Sequence, residues 1–485
     1  MALCGVAMFA VVPRVAWAAE SDALVRAVQR GDAAAVRLLI GQKADPDSAE
    51  PDGTTALHLA IRGGDGAIVD ALIRAGATVR AVNRYGIAPI HVAATLGNAS
   101  ILDRLLQAGA NPHTPTAEGE TPLMMAARTG DTASVRRLVT AGVQVDAREG
   151  WKGQTALMWA AAENNADAMT VLIEAGADIR ATSAGGIFTP LLFAVRAGHV
   201  EASRVLIDAG ASLDQRLADG TSPLLLATIN AHYALASSLL DRGADPKADA
   251  QGWTALHQVA WARRPNTGFN LPGPAPTGGL DSLDLVRQLV RLGADVNARQ
   301  VKEPRDGYRN QLNRAGATPF LLAAKSVDLP LMRVLLELGA DPKIPTEDGT
   351  TALMAAAGVG IWAPGENPGT DDEALAAVKM VYAAGGGGVN DVDANGETAA
   401  HGAVYRAGSI PVLTFLIEQG AAIDVRNKKG WTPLIAADGV EYTPNVLKRY
   451  PDTAAFLRKA LADRGLPVPP PLDSPPSGRP AAAER

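Results

Sequence analysis

Cysteine is almost missing from this chain: of 485 residues only Cys4 is one. It lies in an apolar stretch, residues 2–12, that leads through Pro13 and Arg14 to the small residues Ala16 and Ala18. That pattern predicts a secretory signal peptide over residues 1–18, cleaved after Ala18, and a periplasmic or extracellular mature protein. Without Cys4 the mature chain forms no disulfide, so packing alone has to supply its stability. The apolar stretch is too short to cross a bilayer, and no membrane span is expected once the signal is removed. Charge of one sign is also lacking. The 45 basic and 51 acidic residues are interspersed, which excludes the clustered basic patch that nucleic acid demands. Aromatic residues make up 4% of the chain, so the core must be built from small aliphatic side chains in thin layers. Catalytic and cofactor motifs are absent too: the sequence contains no HExxH, no GxSxG and no GxxxxGK. No catalytic residue, metal or cofactor is expected.

What the chain has in abundance is one recurring phrase. A glycine-containing turn precedes Thr or Ser, then Pro or Ala, an aliphatic residue, often His or Met, and alanines. It reads TALHLA from Thr55, APIHVA from Ala88, TPLMMA from Thr121, TALMWA from Thr155 and TPLLFA from Thr189. It returns at Ser222, Thr254, Thr318, Thr351, Thr398 and Thr432, the first six intervals being 33, 33, 34, 34, 33 and 32 residues. A second marker keeps the same pace, an aliphatic segment ending at Gly76, Gly109, Gly142, Gly176, Gly210 and Gly243. Thr at a helix entrance caps free amides, and Pro after it needs no amide. The glycine supplies the left-handed residue that ends the second helix.

Two markers in phase at this period resemble the ankyrin repeat over roughly residues 21–465. The resemblance implies an all-α helical solenoid of about twelve helix-turn-helix units, each with a projecting hairpin loop. Residues 19–52 read as an N-terminal capping repeat, 53–437 as the array, 438–465 as C-terminal capping helices and 466–485 as a disordered proline-rich tail. By resemblance, His58, His91, His257 and His401, which share one motif position, make structural hydrogen bonds between repeats. His113, His199 and His232 have no second ligand at metal spacing. Thr370 followed by Glu373 reads as a capping box, with Asp371 and Asp372 favourable in a first helical turn.

The period breaks in three places: 264–280, 301–314 and 361–374. The first and third fall in helix-to-helix turns and the second in a hairpin. Such insertions are tolerated surface loops or the border of a site. Phe269, Tyr308 and Trp362 are aromatics in loops of an aromatic-poor chain, and Arg305 and Arg309 add positive charge beside Tyr308. The resemblance implies binding of a protein partner along a concave strip of hairpin tips and first helices. Tyr85, Trp151, Trp253 and Trp431 are its candidate anchors, either exposed for a partner or packed against the next hairpin. The expected function is a non-catalytic binding scaffold. The alternative is a carbohydrate or cell-wall binding module that stacks sugars on Phe269, Tyr308 and Trp362.

Overall fold

The computed structural model describes residues 23–471 except 250, 265–273, 303–311, 362–368 and 444–445. The chain divides into two compact units, at Ser212 and Leu213.

The N-terminal unit opens with helices over 23–29 and Ala33–Gly41, and continues as five helix pairs. These are Ala56–Arg62 with Gly66–Arg74, Pro89–Thr95 with Ala99–Gln107, Pro122–Thr129 with Thr132–Thr140, Ala156–Ala162 with Ala166–Glu174, and Pro190–Ala197 with Val200–Asp208. Helices this short are marginal in water; burial holds them. In the first helix of the first pair every residue from Ala56 to Ile61 is buried, and Ile68, Val69 and Leu72 of the second helix cover it. Small residues at Ala93, Ala94, Ala126, Ala127, Ala160 and Ala161 let successive first helices pack directly on one another.

The caps follow the sequence closely. Thr55, Thr121, Thr155 and Thr189 each accept the amide three residues on, worth about 1 kcal/mol apiece. At Ala88 that side-chain bond is missing, and the Ala88 amide is held instead by Nδ1 of His91, 2.9 Å away. Gly142, φ 79°, ends its helix with open space where a side chain would be.

The C-terminal unit carries the pairs Pro223–Ile229 with Tyr233–Asp241, Ala255–Ala262 with Ser282–Arg291, Pro319–Lys325 with Leu329–Glu337, Ala352–Ala357 with Asp371–Ala383, and Ala399–Tyr405 with Ile410–Glu418. Pro433–Asp438 opens one more repeat. The Thr370–Glu373 capping box forms as the sequence implies, and the helix it starts runs to 13 residues. The segment 438–465 requires correction. Where capping helices were expected, strands Val440–Thr443 and Val446–Lys448 pair antiparallel, and a single helix, Pro451–Asp463, follows. Val440, Tyr442, Thr443 and Val446 are β-branched or aromatic residues that favour extended backbone.

Candidate partner-binding surface

In the N-terminal unit the hairpin tips are held by buried or half-buried polar side chains beneath them. The Glu149 carboxylate accepts the amides of Trp151 (2.6 Å), Lys152 (2.8 Å) and Gln154 (2.8 Å). Burial works to raise its pKa, but these three backbone donors together hold it below the usual carboxylate range. The tip is thereby set, and Trp151 projects from it 79% exposed. Asn83 acts likewise in an earlier repeat, its Oδ1 accepting the amides of Tyr85 and Ile87 at 3.0 Å and leaving Tyr85 55% exposed. Neighbouring hairpins are joined by backbone bonds, Arg84 N–H to Asp52 O at 2.9 Å and Gly150 N–H to Glu118 O at 2.8 Å.

The first helices add a second row. The fifth motif residue is Leu59, Val92, Met125, Trp159 and Phe193 in successive repeats, and one turn on stand Arg62, Thr95, Arg128, Ala162 and Arg196. The Arg128 guanidinium carbon lies 4.9 Å from the Trp159 ring centre, and that of Arg196 lies 4.8 Å from Phe188 and 5.4 Å from Phe193. At the tips the Lys152 ammonium is 4.3 Å from the Trp151 ring and Arg84 is 4.8 Å from Tyr85. Trp159, Phe193, Arg128 and Arg196 were not among the residues singled out from sequence. Their signal is positional, a bulky aromatic at a motif position that other repeats fill with Leu, Val or Met.

The motif histidines are structural. Each is neutral and buried, its Nδ1 accepting the cap-residue amide and its Nε2 donating to a backbone carbonyl of the next repeat: His58 to Ile87 at 2.9 Å, His91 to Thr114 at 2.7 Å, His257 to Ala317 at 3.1 Å, His401 to Trp431 at 3.0 Å. Burial lowers the pKa of all four, to about 4 for His257 and His401. Among the described residues no group of three or more His, Cys, Asp or Glu could hold a metal ion.

Two of the tryptophan candidates stand inward of the tip, one half-buried and one buried. Trp253 and Trp431 sit immediately before the capping threonine rather than at the tip, a position directed into the stack. Trp253 is half-buried, and its Nε1 is shielded from solvent. Trp431 is 3% exposed; the Asn427 side chain accepts its amide at 2.9 Å, and the Lys429 ammonium lies 4.7 Å from its ring. Phe269, Arg305, Tyr308, Arg309 and Trp362 lie outside the described residues.

Around the insertions the C-terminal unit handles its cations differently. Arg263 Nε donates to the carboxylate of Asp328, 2.7 Å away and 1% exposed. Arg264 reaches the carbonyl of Val327 (2.7 Å) and the carboxylate of Glu373 (3.1 Å). Arg406, 7% exposed, donates to the carbonyl of Lys325 at 3.1 Å, and Lys325 to that of Gly360 at 3.1 Å. Burial pulls the Arg406 pKa down to about 10. These bonds pin the turn at Lys325–Asp328, where the β-branched Val327 adopts a left-handed φ of 49°. Arg406 gets there by crossing Gly358, whose missing Cβ would stand 2.9 Å from the Arg406 Cβ and 2.4 Å from the Gly402 carbonyl oxygen.

The repeat seen in sequence and in structure has a counterpart in known proteins. A model described as ankyrin repeats (3 copies) matches residues 24–116, 92–183 and 191–268, and a single ankyrin repeat model matches 395–428. The chain belongs to the ankyrin repeat family, whose repeats are generally protein–protein interaction modules. Among solved structures it is similar to the human ASB11 ankyrin repeat domain, with 29% identity, a TM-score of 0.41, and coverage of 45% of this chain and 96% of that one. No curated protein matches it.

Proposed function

We propose that this protein is a non-catalytic scaffold that binds a protein partner through the hairpin tips and first-helix row of its N-terminal unit, outside the cytoplasm. The observation that carries the reading is Trp151. A large aromatic ring stands out in solvent on a tip that Glu149 holds rigid, so little conformational entropy is lost when a partner covers it. Tyr85, Trp159 and Phe188, which packs on the buried Phe193, extend the surface along the repeats. Aromatic anchors of this kind dominate interface energies. The export half of the reading rests on the leader-like residues 1–18.

Co-purification from the native cell with the wild type and with Trp151→Ala tests the reading. Partners held by the wild type and lost from the variant support it, and an unchanged set overturns the assignment to this surface. Amino-terminal sequencing of the purified protein tests export: a mature start at Ala19 supports it, and a retained residue 1–18 segment removes it.

A further inference from the structure

The two faces of the N-terminal unit treat their cations in opposite ways. On the second helices cations meet carboxylates: Arg104 with Asp70 at 2.9 Å, Arg137 with Asp103 at 3.6 Å, Arg136 with Glu174 at 4.0 Å, and Arg204 with Glu201 and Asp208 at 2.9 and 3.1 Å. On the hairpin and first-helix face four of them lie by aromatic rings instead: Lys152 on Trp151, Arg128 on Trp159, Arg196 on Phe188 and Phe193, and Arg84 on Tyr85, to whose hydroxyl it also gives one of its donors, while Arg80 and Arg148 donate to backbone carbonyls. Among the described residues, Arg84, Arg128 and Lys152 form no ion pair with a carboxylate. Acids do stand in the same region. The Glu149 carboxylate is taken up by three backbone amides and that of Asp52, near Arg84, by the amide of Thr54, while burial raises the pKa of Glu120 against the opposing charge of Arg128.

A ring behind a guanidinium or ammonium fixes its position while leaving N–H donors directed outward. Asp52, Glu120 and Glu149 stand near these cations without forming ion pairs with them, so the surface keeps donors for carboxylates from outside the chain. We infer that the partner contributes an extended acidic peptide segment whose carboxylates pair with Arg84, Arg128 and Lys152 while its apolar side chains lie on Trp151, Trp159 and Val92. This inference rests on the protein-binding reading above and narrows it to one partner chemistry. The charge of the face gives orientation and association rate, and the aromatic rings give contact area. Repeats stacked at helix spacing carry the four repeats from Tyr85 to Phe188 over roughly 30 Å. A strand of about ten residues spans that length.

The test is selection of a display library of random peptides, about twelve residues long, on the full chain. It is repeated on Arg84→Gln/Arg128→Gln/Lys152→Gln, on Trp151→Ala, and on the opposite-face control Arg136→Gln. Wild type and control should enrich Asp and Glu about threefold over the library, and a selected acidic peptide should bind the triple variant at least tenfold more weakly. Binders without acidic enrichment that still need Trp151 would overturn the inference and leave the protein-binding reading standing. Failure to select any binder would overturn the inference, and the co-purification above decides the reading separately. Equal competition by single-stranded DNA or a sulfated glycan would show a surface for anionic polymers in general and also overturn it.

Discussion

The N-terminal unit spends its unpaired cations on a surface, whereas the C-terminal unit buries its own in the turns between helices. Arg84, Arg128 and Lys152 stay in contact with water over aromatic rings. Arg263, Arg264 and Arg406 are drawn into one turn and held by Asp328, Glu373 and backbone carbonyls, though the buried Nε of Arg406 has no partner among the described residues. Substitutions should therefore act on recognition in the first unit and on stability in the second.

The sharpest contrast is between two ion pairs. Asp328→Ala takes from the half-buried Arg263 its 2.7 Å partner, leaving Asp281 at 3.7 Å as its only carboxylate, and uncaps the helix Leu329–Glu337, so a loss of about 2–4 kcal/mol is expected in urea denaturation. Asp70→Ala removes a half-exposed partner of Arg104 and should lose less than about 1 kcal/mol. Equal losses would end the distinction between the units.

Glycines offer the next comparison. Gly358→Ala drives a methyl against the Gly402 carbonyl and the Arg406 side chain, with an expected loss of about 1–3 kcal/mol. Gly142→Ala meets open space and suffers only the left-handed backbone, about 1 kcal/mol. In thermal melts Gly358→Ala should lose more than Gly142→Ala, and equal losses would mean that the turn yields to the added methyl.

Within the C-terminal unit a buried carboxyl and the buried histidines answer to pH in opposite senses. Burial, opposed by bonds from Asn427 and Tyr405, pushes Glu397 up to about 7. A carboxyl raised in the folded state contributes stability that is complete below its ordinary value of 4.5 and is lost as pH climbs through 7. The histidines run oppositely: folded values below 6.5 mean stability is present above 6.5 and lost as pH falls toward 4. Glu397→Gln should accordingly stabilise the protein by about 1–3 kcal/mol at pH 8 and leave it unchanged at pH 4. A stability gain that persists at pH 4 would assign the effect to packing.

The smallest expected effect on stability is that of Trp151→Ala, within about 0.5 kcal/mol of wild type in urea denaturation, because the ring touches little of its own chain. A larger loss would make Trp151 a structural residue rather than an anchor.

Much of this was legible in the sequence. The capping threonines, the left-handed glycines, the buried histidines and the Thr370–Glu373 box are local features whose partners lie within a few residues or at a fixed offset of one repeat. Trp431 was misplaced because one residue of register decides whether a hairpin side chain reaches solvent or the stack. Trp159 was overlooked because an aromatic inside a short apolar helix reads as core, as its counterpart Phe193 is. The strands at Val440–Lys448 are too short for a period to show. The arginine network around Val327 was illegible because Arg264 meets Glu373, 109 residues away, across an intervening repeat.

That last kind of contact alters how the protein comes apart. In an ideal repeat array each module feels only its immediate neighbours, so it melts as a one-dimensional chain fraying inward from its ends. Arg406 donating to Lys325 and Arg264 to Glu373 each skip one module and interleave, tying the four repeats that begin at Thr254, Thr318, Thr351 and Thr398 into one cooperative block. Amide hydrogen exchange in native conditions should find a single opening free energy shared by the first helices Ala255–Ala262, Pro319–Lys325, Ala352–Ala357 and Ala399–Tyr405, and a gradient among the helices of the N-terminal unit.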